Sequence, residues 1–166
     1  MCIRDRTEEG DEVLIQRPVY YPFADSIQQQ KRVVVNSPLQ LRDGRYEIDF
    51  ADFERKAASP RCRAFVLSNP HNPVGRVYTE EELRRVGEIC RRHHVFVIAD
   101  EIHSDLIFPG HQHIVFASLG QNYAENCAVC HAPSKTFNLA GLSFSCIMIP
   151  NEERRKRFDQ MFARYC

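Results

Sequence analysis

The chain has 166 residues, about the size of one ordinary domain, and 43% of them are hydrophobic while 27% are charged. Its 22 basic residues balance its 22 acidic residues, which argues against nucleic acid or an anionic membrane as the main partner. No apolar run approaches the roughly 20 residues that a membrane helix needs, and we recognise no secretory signal. We therefore expect a globular protein of the cytoplasm.

Apolar segments and helical patterns alternate along the chain. The predicted strands are residues 12–16, 32–35, 64–67, 95–99, 127–130 and 143–149. The predicted helices are residues 24–30, 49–58, 79–94 and the segment from 151 onward, and two prolines predict a loop at 18–23. Strands separated by helices predict an α/β fold of three layers, α/β/α, with a mostly parallel sheet.

The clearest predicted helix begins at Thr79. Thr79 and Glu82 have the spacing of a capping box, in which hydroxyl and carboxylate satisfy two free backbone N–H groups. Leu83, Val86 and Cys90 then recur at helical spacing and form one apolar face. The strand that follows is apolar throughout, which is typical of a strand covered on both faces.

Three polar loops each follow a predicted strand: NPHNPVGR at 69–76, DEIHSD at 100–105 and APSKTFN at 132–138. Each has a purely structural interpretation, since prolines and glycine make turns, Asp100 could cap a helix beginning at Glu101, and Lys135 could be a solvated lysine. Ligands bind at the carboxyl ends of parallel strands. The joint occurrence of the loops therefore predicts one site at that edge of the sheet.

Four segments together resemble a known family: PVYYPF at 18–23, NPHNPVGR at 69–76, DEIHSDL at 100–106 and SKTFNLAGL at 134–142. They are similar to fold-type-I pyridoxal-phosphate (PLP) enzymes of the class I/II aminotransferase superfamily, in the cystathionine β-lyase-like branch of C–S lyases. The resemblance implies that residues 7–166 are part of the PLP-binding large domain. The family's N-terminal segment and C-terminal small domain would then be missing, and the chain would be an internal fragment.

The resemblance implies a role for each of four residues in the three loops. Lys135 would form the Schiff base with the cofactor aldehyde and later remove the substrate Cα proton. Asp100 would face the pyridine nitrogen and favour the protonated ring. Asn72 would donate its amide N–H to the phenolic oxygen, and Pro73, just after it, would follow a cis peptide bond.

Four further residues receive roles from the resemblance. Tyr20 would stack on the cofactor ring and Tyr21 would assist proton transfer, although either aromatic ring suits stacking. Ser134 is a candidate contact for the cofactor phosphate. His103 stands where many aminotransferases carry a tyrosine, which favours the lyase branch, but it could equally be a packed histidine that supports Asp100.

The function implied is β-elimination on a sulfur amino acid such as cystathionine or cysteine, giving a thiol, pyruvate and ammonia. The parent enzyme would be a homodimer whose partner is a small amino-acid substrate. An aminotransferase is the alternative, because both reactions share the steps through the carbanion. The alternative of another class is a non-catalytic fragment that exposes apolar surface and folds poorly.

Several remaining residues receive structural interpretations. Residues 1–6 (MCIRDR) lack apolar periodicity, and we interpret them as a tag or artefact. Cys127 and Cys130 with His131 match a haem attachment motif, but the apolar run around them favours structural cysteines, and no metal site is predicted. His71 and Arg76 are assigned structural roles. The other histidines outside the motifs are interpreted as surface residues: His93, His94, His111 and His113.

Overall fold

A twisted sheet of six strands organises the chain in the computed structural model, which describes residues 3–165. Its strand order is β2-β1-β5-β6-β7-β8, and every pairing is parallel except that of β8 with β7. A separate two-stranded hairpin joins β3 and β4. The strands are β1 (Glu12–Ile15), β2 (Val33–Asn36), β3 (Gln40–Arg42), β4 (Arg45–Glu47), β5 (Cys62–Ser68), β6 (Phe96–Asp100), β7 (Cys127–His131) and β8 (Cys146–Met148).

Helices cover both faces of this sheet. They are α1 (Pro22–Gln29), α2 (Phe50–Ala57), α3 (Glu80–Arg92), α4 (Gln121–Ala124) and α5 (Glu152–Tyr165). Successive strand side chains point to opposite faces, so Val97 and Ala99 of β6 join the core beneath α2 and α3. Phe96 and Ile98 join the core that includes Ile27 of α1. The predicted three-layer α/β architecture with a mostly parallel sheet is confirmed.

The start of α3 shows why the sequence folds this way locally. Thr79 accepts a hydrogen bond from the Glu82 amide at 3.2 Å, and the Glu82 carboxylate accepts one from the Thr79 amide at 2.9 Å. Leu83, Val86 and Cys90 are buried on the face that packs against the sheet. The predicted capping box and apolar face are both confirmed.

Three local predictions need correction. The predicted loop 18–23 gives way to α1 at Pro22, because proline fits the first turn of a helix. The last predicted strand shrinks to Cys146–Met148 and runs antiparallel. The β3–β4 hairpin was not predicted, although Asp43-Gly44 is a recognised hairpin signal and both residues have positive φ, at 47° and 77°.

Residues 1–6 were expected to be a tag or artefact. The assignment of residues 1–6 as a non-native addition stays a prediction; Met1 and Cys2 lie outside the described residues, as does Cys166. Arg6 stacks over the Phe96 ring at 4.7 Å and donates to the Arg154 carbonyl at 2.6 Å.

Within the described part of the chain, no helix has both the length and the apolar character needed to cross a membrane.

Candidate active site

The three polar loops leave the same edge of the sheet. Ser68, Asp100 and Cys130 are paired side by side at the ends of β5, β6 and β7. The Asn69 amide donates to the Asp100 carbonyl at 3.0 Å, and the Glu101 amide donates to the Cys130 carbonyl at 2.9 Å. The predicted convergence of the loops 69–76, 100–105 and 132–138 is therefore observed.

Asp100 ends β6 and is partly buried. Its Oδ1 accepts a hydrogen bond from the Ile102 amide at 3.2 Å, within a series of turns, so the idea that it caps a helix beginning at Glu101 is wrong. The other carboxylate oxygen accepts no hydrogen bond from residues 3–165. Burial raises the pKa of Asp100, opposed by the Ile102 amide and by the nearby His103. This carboxyl therefore has one oxygen free to accept a hydrogen bond, and no ion pair with residues 3–165 offsets its burial.

Asn72 is held by its backbone and keeps its side-chain amide unpaired among the described residues. Its backbone N–H donates to the Ser68 hydroxyl at 3.3 Å, and its backbone carbonyl accepts from the Tyr20 backbone N–H at 2.9 Å. The Asn72–Pro73 peptide bond is cis, as the resemblance implied, and so is the Asn69–Pro70 bond. The geometry leaves the Asn72 amide free to bind a ligand.

His71 joins the loop 69–76 to the segment that carries Tyr20. It is 1% exposed, and its Nε2 lies 2.9 Å from the Pro18 carbonyl oxygen. Its Nδ1 lies 2.9 Å from the Tyr78 hydroxyl, and burial lowers the pKa of His71 to about 4. A neutral ring that donates from Nε2 and accepts at Nδ1 satisfies both contacts. This agrees with the structural role expected for His71.

The two tyrosines differ in how they are held. Tyr20 is 45% exposed, is tied to Asn72 by its amide and contacts Phe23 edge-on, with ring centroids 5.7 Å apart. Tyr21 is 75% exposed and leads into α1. Tyr20 is thus the tyrosine whose backbone is tied to the Asn72 loop.

Lys135 is exposed, and its amine makes no hydrogen bond or ion pair among residues 3–165. The loop that carries it is tied to the neighbouring loop, because the Thr136 hydroxyl donates to Asp105 Oδ2 at 2.7 Å. Ser134 is partly buried, and its carbonyl accepts from the Leu139 amide at 3.0 Å. The Thr136–Asp105 contact was not predicted, because it joins residues 31 positions apart.

Glu101 and His113 form a buried pair that sequence reasoning missed. Glu101 is 2% exposed; its Oε2 lies 2.9 Å from His113 Nε2, and its Oε1 accepts from the Phe116 amide at 2.8 Å. The His113 side chain is 8% exposed, so the interpretation of His113 as a surface residue is wrong. Tertiary packing brought the ring inside, and no sequence pattern signals a contact over 12 residues.

Arg76 is fully engaged within the fold. Its Nη2 donates to both oxygens of Glu82 at 2.8 Å, its Nη1 donates to the Tyr46 carbonyl at 2.7 Å, and its guanidinium lies 4.9 Å from the Tyr78 ring centroid. These contacts agree with the structural role assigned to Arg76.

A cavity of about 710 Å³ opens beside Asn72 and His103. Its remaining lining consists of Arg45, Pro70, His71, Pro73, Gly75, Arg76, Val77, Thr79, Leu106, Phe108 and His111. Asn72 and His103 are thus the two predicted site residues that line this cavity.

The cysteines lie within secondary structure. Cys127 is buried at the start of β7, where burial raises the pKa of its thiol to about 12, and Cys130 is partly buried near the end of the same strand. Residues 3–165 contain no group of three or more histidine, cysteine, aspartate or glutamate side chains arranged to hold a metal ion.

The chain belongs to the aminotransferase class I and II family, whose sequence model matches residues 2–166. It is 46% identical over 164 residues to cystathionine beta-lyase PatB of Bacillus subtilis, covering 99% of this chain and 42% of that protein. The chain thus spans well under half the length of this curated relative.

Solved structures agree with this assignment. A PLP-bound protein from Clostridium difficile 630 superposes with a TM-score of 0.94 at 43% identity, over 98% of this chain and 42% of the other. Cystalysin from Treponema denticola, whose crystal contains PLP, gives a TM-score of 0.92 at 41% identity, over 95% and 40% of the two chains.

Proposed function

We propose that this chain binds PLP and that residues 7–166 form part of the PLP-binding large domain of a longer enzyme. The observation that carries the proposal is a set of three unpaired polar groups on loops from adjacent strand ends. They are the Asn72 amide, one oxygen of Asp100 and the Lys135 amine. The two similar structures that hold PLP and the partial coverage of the relatives support it.

The donor set fits the cofactor chemically. When bound, PLP supplies an electron-accepting ring that stabilises negative charge at the substrate Cα. Asp100 offers a carboxylate for the protonated ring nitrogen, and a cation there would offset the burial that now raises the pKa of Asp100. The Asn72 amide donates a hydrogen bond to the phenolic oxygen, and His103 lies close enough to influence Asp100 electrostatically. Every proposed contact uses a group that the fold leaves available.

The remaining residues position the cofactor and move protons. The Lys135 amine would hold the cofactor through its aldehyde, and the same amine would accept the Cα proton. Tyr20 stacks on the ring from a backbone anchored to Asn72, Tyr21 assists the proton transfer, and Ser134 binds the phosphate.

For the whole protein we propose carbon–sulfur β-elimination on cystathionine or cysteine-type amino acids, in a homodimeric enzyme. Lys135 removes the Cα proton, the Cβ–S bond breaks, and the thiolate leaves with the bonding electron pair. Hydrolysis of the remaining three-carbon unit gives pyruvate and ammonia. Similarity to cystathionine beta-lyase PatB supports this reaction over transamination.

Cofactor binding is tested by the absorbance spectrum of the chain with PLP, before and after borohydride reduction. We expect a visible band, and mass mapping should locate the reduced cofactor on Lys135. Lys135→Ala should abolish the band, whereas Asp100→Asn should weaken PLP binding without removing the covalent link. If neither the chain nor the full-length parent gave a band above the Lys135→Ala control, the PLP assignment would be wrong. A band in the parent alone would identify the 166-residue chain as a non-catalytic fragment.

The reaction is tested on the full-length parent with cystathionine. We expect pyruvate and ammonia in equal amounts without an amino acceptor. If a keto acid formed only when an amino acceptor was added, the enzyme would be an aminotransferase and the lyase proposal would fail.

A further inference from the structure

The cavity beside Asn72 and His103 has walls that the fold holds in place. One wall is the segment 102–115, which carries His103, Leu106, Phe108 and His111. Both ends of this segment are fixed by Glu101, whose two oxygens bind His113 and the Phe116 amide. Because Phe116 is 1% exposed and part of the core, the wall is anchored to the interior. This wall of the cavity is therefore held at both of its ends by the fold.

The β3–β4 hairpin contributes to the cavity lining through Arg45. The carbonyl of the next residue, Tyr46, accepts a hydrogen bond from Arg76 Nη1 at 2.7 Å. Arg76 lines the same cavity and is paired with Glu82 at the start of α3. This chain of contacts fixes the backbone that presents Arg45 to the cavity.

The charge of the cavity wall comes from Arg45. No aspartate or glutamate is among its described lining residues. The charge of Arg76 is balanced by Glu82 at 2.8 Å, and His71 is neutral at pH 7 because burial lowers its pKa to about 4. The Arg45 guanidinium has no ion pair or hydrogen bond within residues 3–165. An exposed, unpaired arginine above an acid-free wall suits an anion, and its planar fork matches a carboxylate.

The rest of the lining suits a hydrocarbon or thioether chain. Val77, Leu106 and Phe108 contribute apolar side chains, and Pro70 and Pro73 contribute apolar rings. Phe108 is 80% exposed in the structure, so a ligand in the cavity would remove apolar surface from water. At about 710 Å³ the cavity lies within the usual range for small-molecule sites.

We propose that this cavity is the subsite for the far end of the substrate, with Arg45 binding a second carboxylate beyond the sulfur. The inference rests on the proposed function, because Asn72 and His103 connect the cavity to the cofactor site. It narrows the substrate class to thioether amino acids that carry a distal carboxylate. Arg45 acts on substrate choice and does not contact the cofactor.

The test compares two substrates with the full-length parent loaded with PLP. L-Cystathionine carries the distal carboxylate, whereas S-propyl-L-cysteine has a similar thioether and ends in a methyl group. Arg45→Gln should lower kcat/KM for cystathionine by about 10- to 100-fold and leave that for S-propylcysteine within about twofold. The cystathionine concentration needed to change the cofactor absorbance band should rise by a similar factor, which provides a binding measurement independent of turnover.

Arg42→Gln is the matched control. Arg42 lies directly opposite Arg45 in the hairpin, is exposed and pairs with Glu47 at 3.9 Å, and it does not line the cavity. Arg42→Gln should leave kcat/KM unchanged for both substrates. Equal losses for both substrates in Arg45→Gln would mean that Arg45 serves the common α-carboxylate or the fold, and no loss for either would mean that the cavity does not bind the distal end.

Failure of this inference and failure of the proposed function give different results. Without a cofactor band in the unsubstituted parent, the PLP assignment falls and the subsite falls with it. With the band present but no selective effect of Arg45→Gln, only the subsite is overturned. Retention of the band in Arg45→Gln would show that the variant is folded.

Discussion

Strand β5, which pairs with the Asp100 strand β6, and the segment that carries Lys135 differ in burial. Phe65 and Leu67 of β5 are at most 1% exposed, and Leu83 of α3, in the same hydrophobic core, is 0% exposed. In the segment 133–148, Phe137 is 66% exposed and Leu142 is 69% exposed. Packing within this chain thus fixes the Asp100 side of the site, but it leaves the apolar residues around Lys135 uncovered. Exposed apolar patches of this kind mark interfaces, as expected if further chain or a second subunit completes the enzyme.

The largest change in the free energy of unfolding should come from a substitution in the buried strand β5. Phe65→Ala removes a ring that is 1% exposed and packs edge-on against Phe53, with centroids 4.9 Å apart. We expect the free energy of unfolding to fall by about 3–5 kcal/mol, because the truncation leaves a cavity in the core. Urea denaturation followed by circular dichroism measures it. A loss below about 1 kcal/mol would mean that this region is not tightly packed.

The next effect is a pH dependence set by His71. Its pKa is about 4 in the fold against an ordinary value near 6.5, so the folded state resists protonation that the unfolded chain accepts. The contribution of neutral His71 to the free energy of unfolding is fully present above pH 6.5. It declines as the pH falls toward 4, by about 3 kcal/mol at most. Unfolding measured from pH 7 to pH 4 should show this decline, and His71→Asn should reduce it.

His94→Asn is the control for that slope. His94 is exposed at the end of α3 and has a positive φ of 58°, a conformation that asparagine tolerates. It should leave the pH dependence unchanged. Identical slopes in His71→Asn and His94→Asn would contradict the assignment of the slope to His71.

A smaller effect is expected at the start of α3. Thr79→Ala removes the hydroxyl that accepts from the Glu82 amide at 3.2 Å, and should cost about 1 kcal/mol of unfolding free energy. Thr79→Ser keeps the hydroxyl and should recover most of the loss in the same denaturation assay. If serine were as destabilising as alanine, the methyl group and not the cap would be responsible.

The smallest change in the free energy of unfolding should come from a substitution in the exposed segment 133–148. Phe137→Ala makes the same chemical change as Phe65→Ala at a ring that is 66% exposed, and should alter unfolding by no more than about 0.5 kcal/mol. In the full-length parent the same substitution should cost more if further chain or a second subunit covers this surface. Equal effects in the two proteins would show that Phe137 remains exposed in both.

The sequence was sufficient to predict the strand and helix alternation and the convergence of three polar loops at one edge of the sheet. The capping box of Thr79 and Glu82 depends on residues three apart, and local patterns of this kind can be read along the chain. The three loops follow β5, β6 and β7, and parallel strands bring their carboxyl ends together by geometry. The roles of Lys135, Asp100 and Asn72 remain predictions that cofactor binding will test.

Some features could not be predicted because they depend on distant parts of the chain. His113 was expected at the surface, yet it pairs with the buried Glu101, and nothing near His113 in sequence indicates that contact. The antiparallel direction of β8 depends on how the chain after Lys135 returns to β7. The hairpin is different, since Asp43-Gly44 signalled it and the signal was overlooked.

The sequence by itself determined which loops carry the candidate site residues, because motif loops and periodic apolar faces are set by near neighbours. Only the tertiary structure decided which charged side chains form ion pairs within the fold. It pairs Arg76 with Glu82, leaves Arg45 unpaired beside the cavity, and anchors the segment 102–115 through Glu101. Ion pairs and cavities form where elements far apart in sequence meet, so their partners are fixed only when the sheet and its helices have packed.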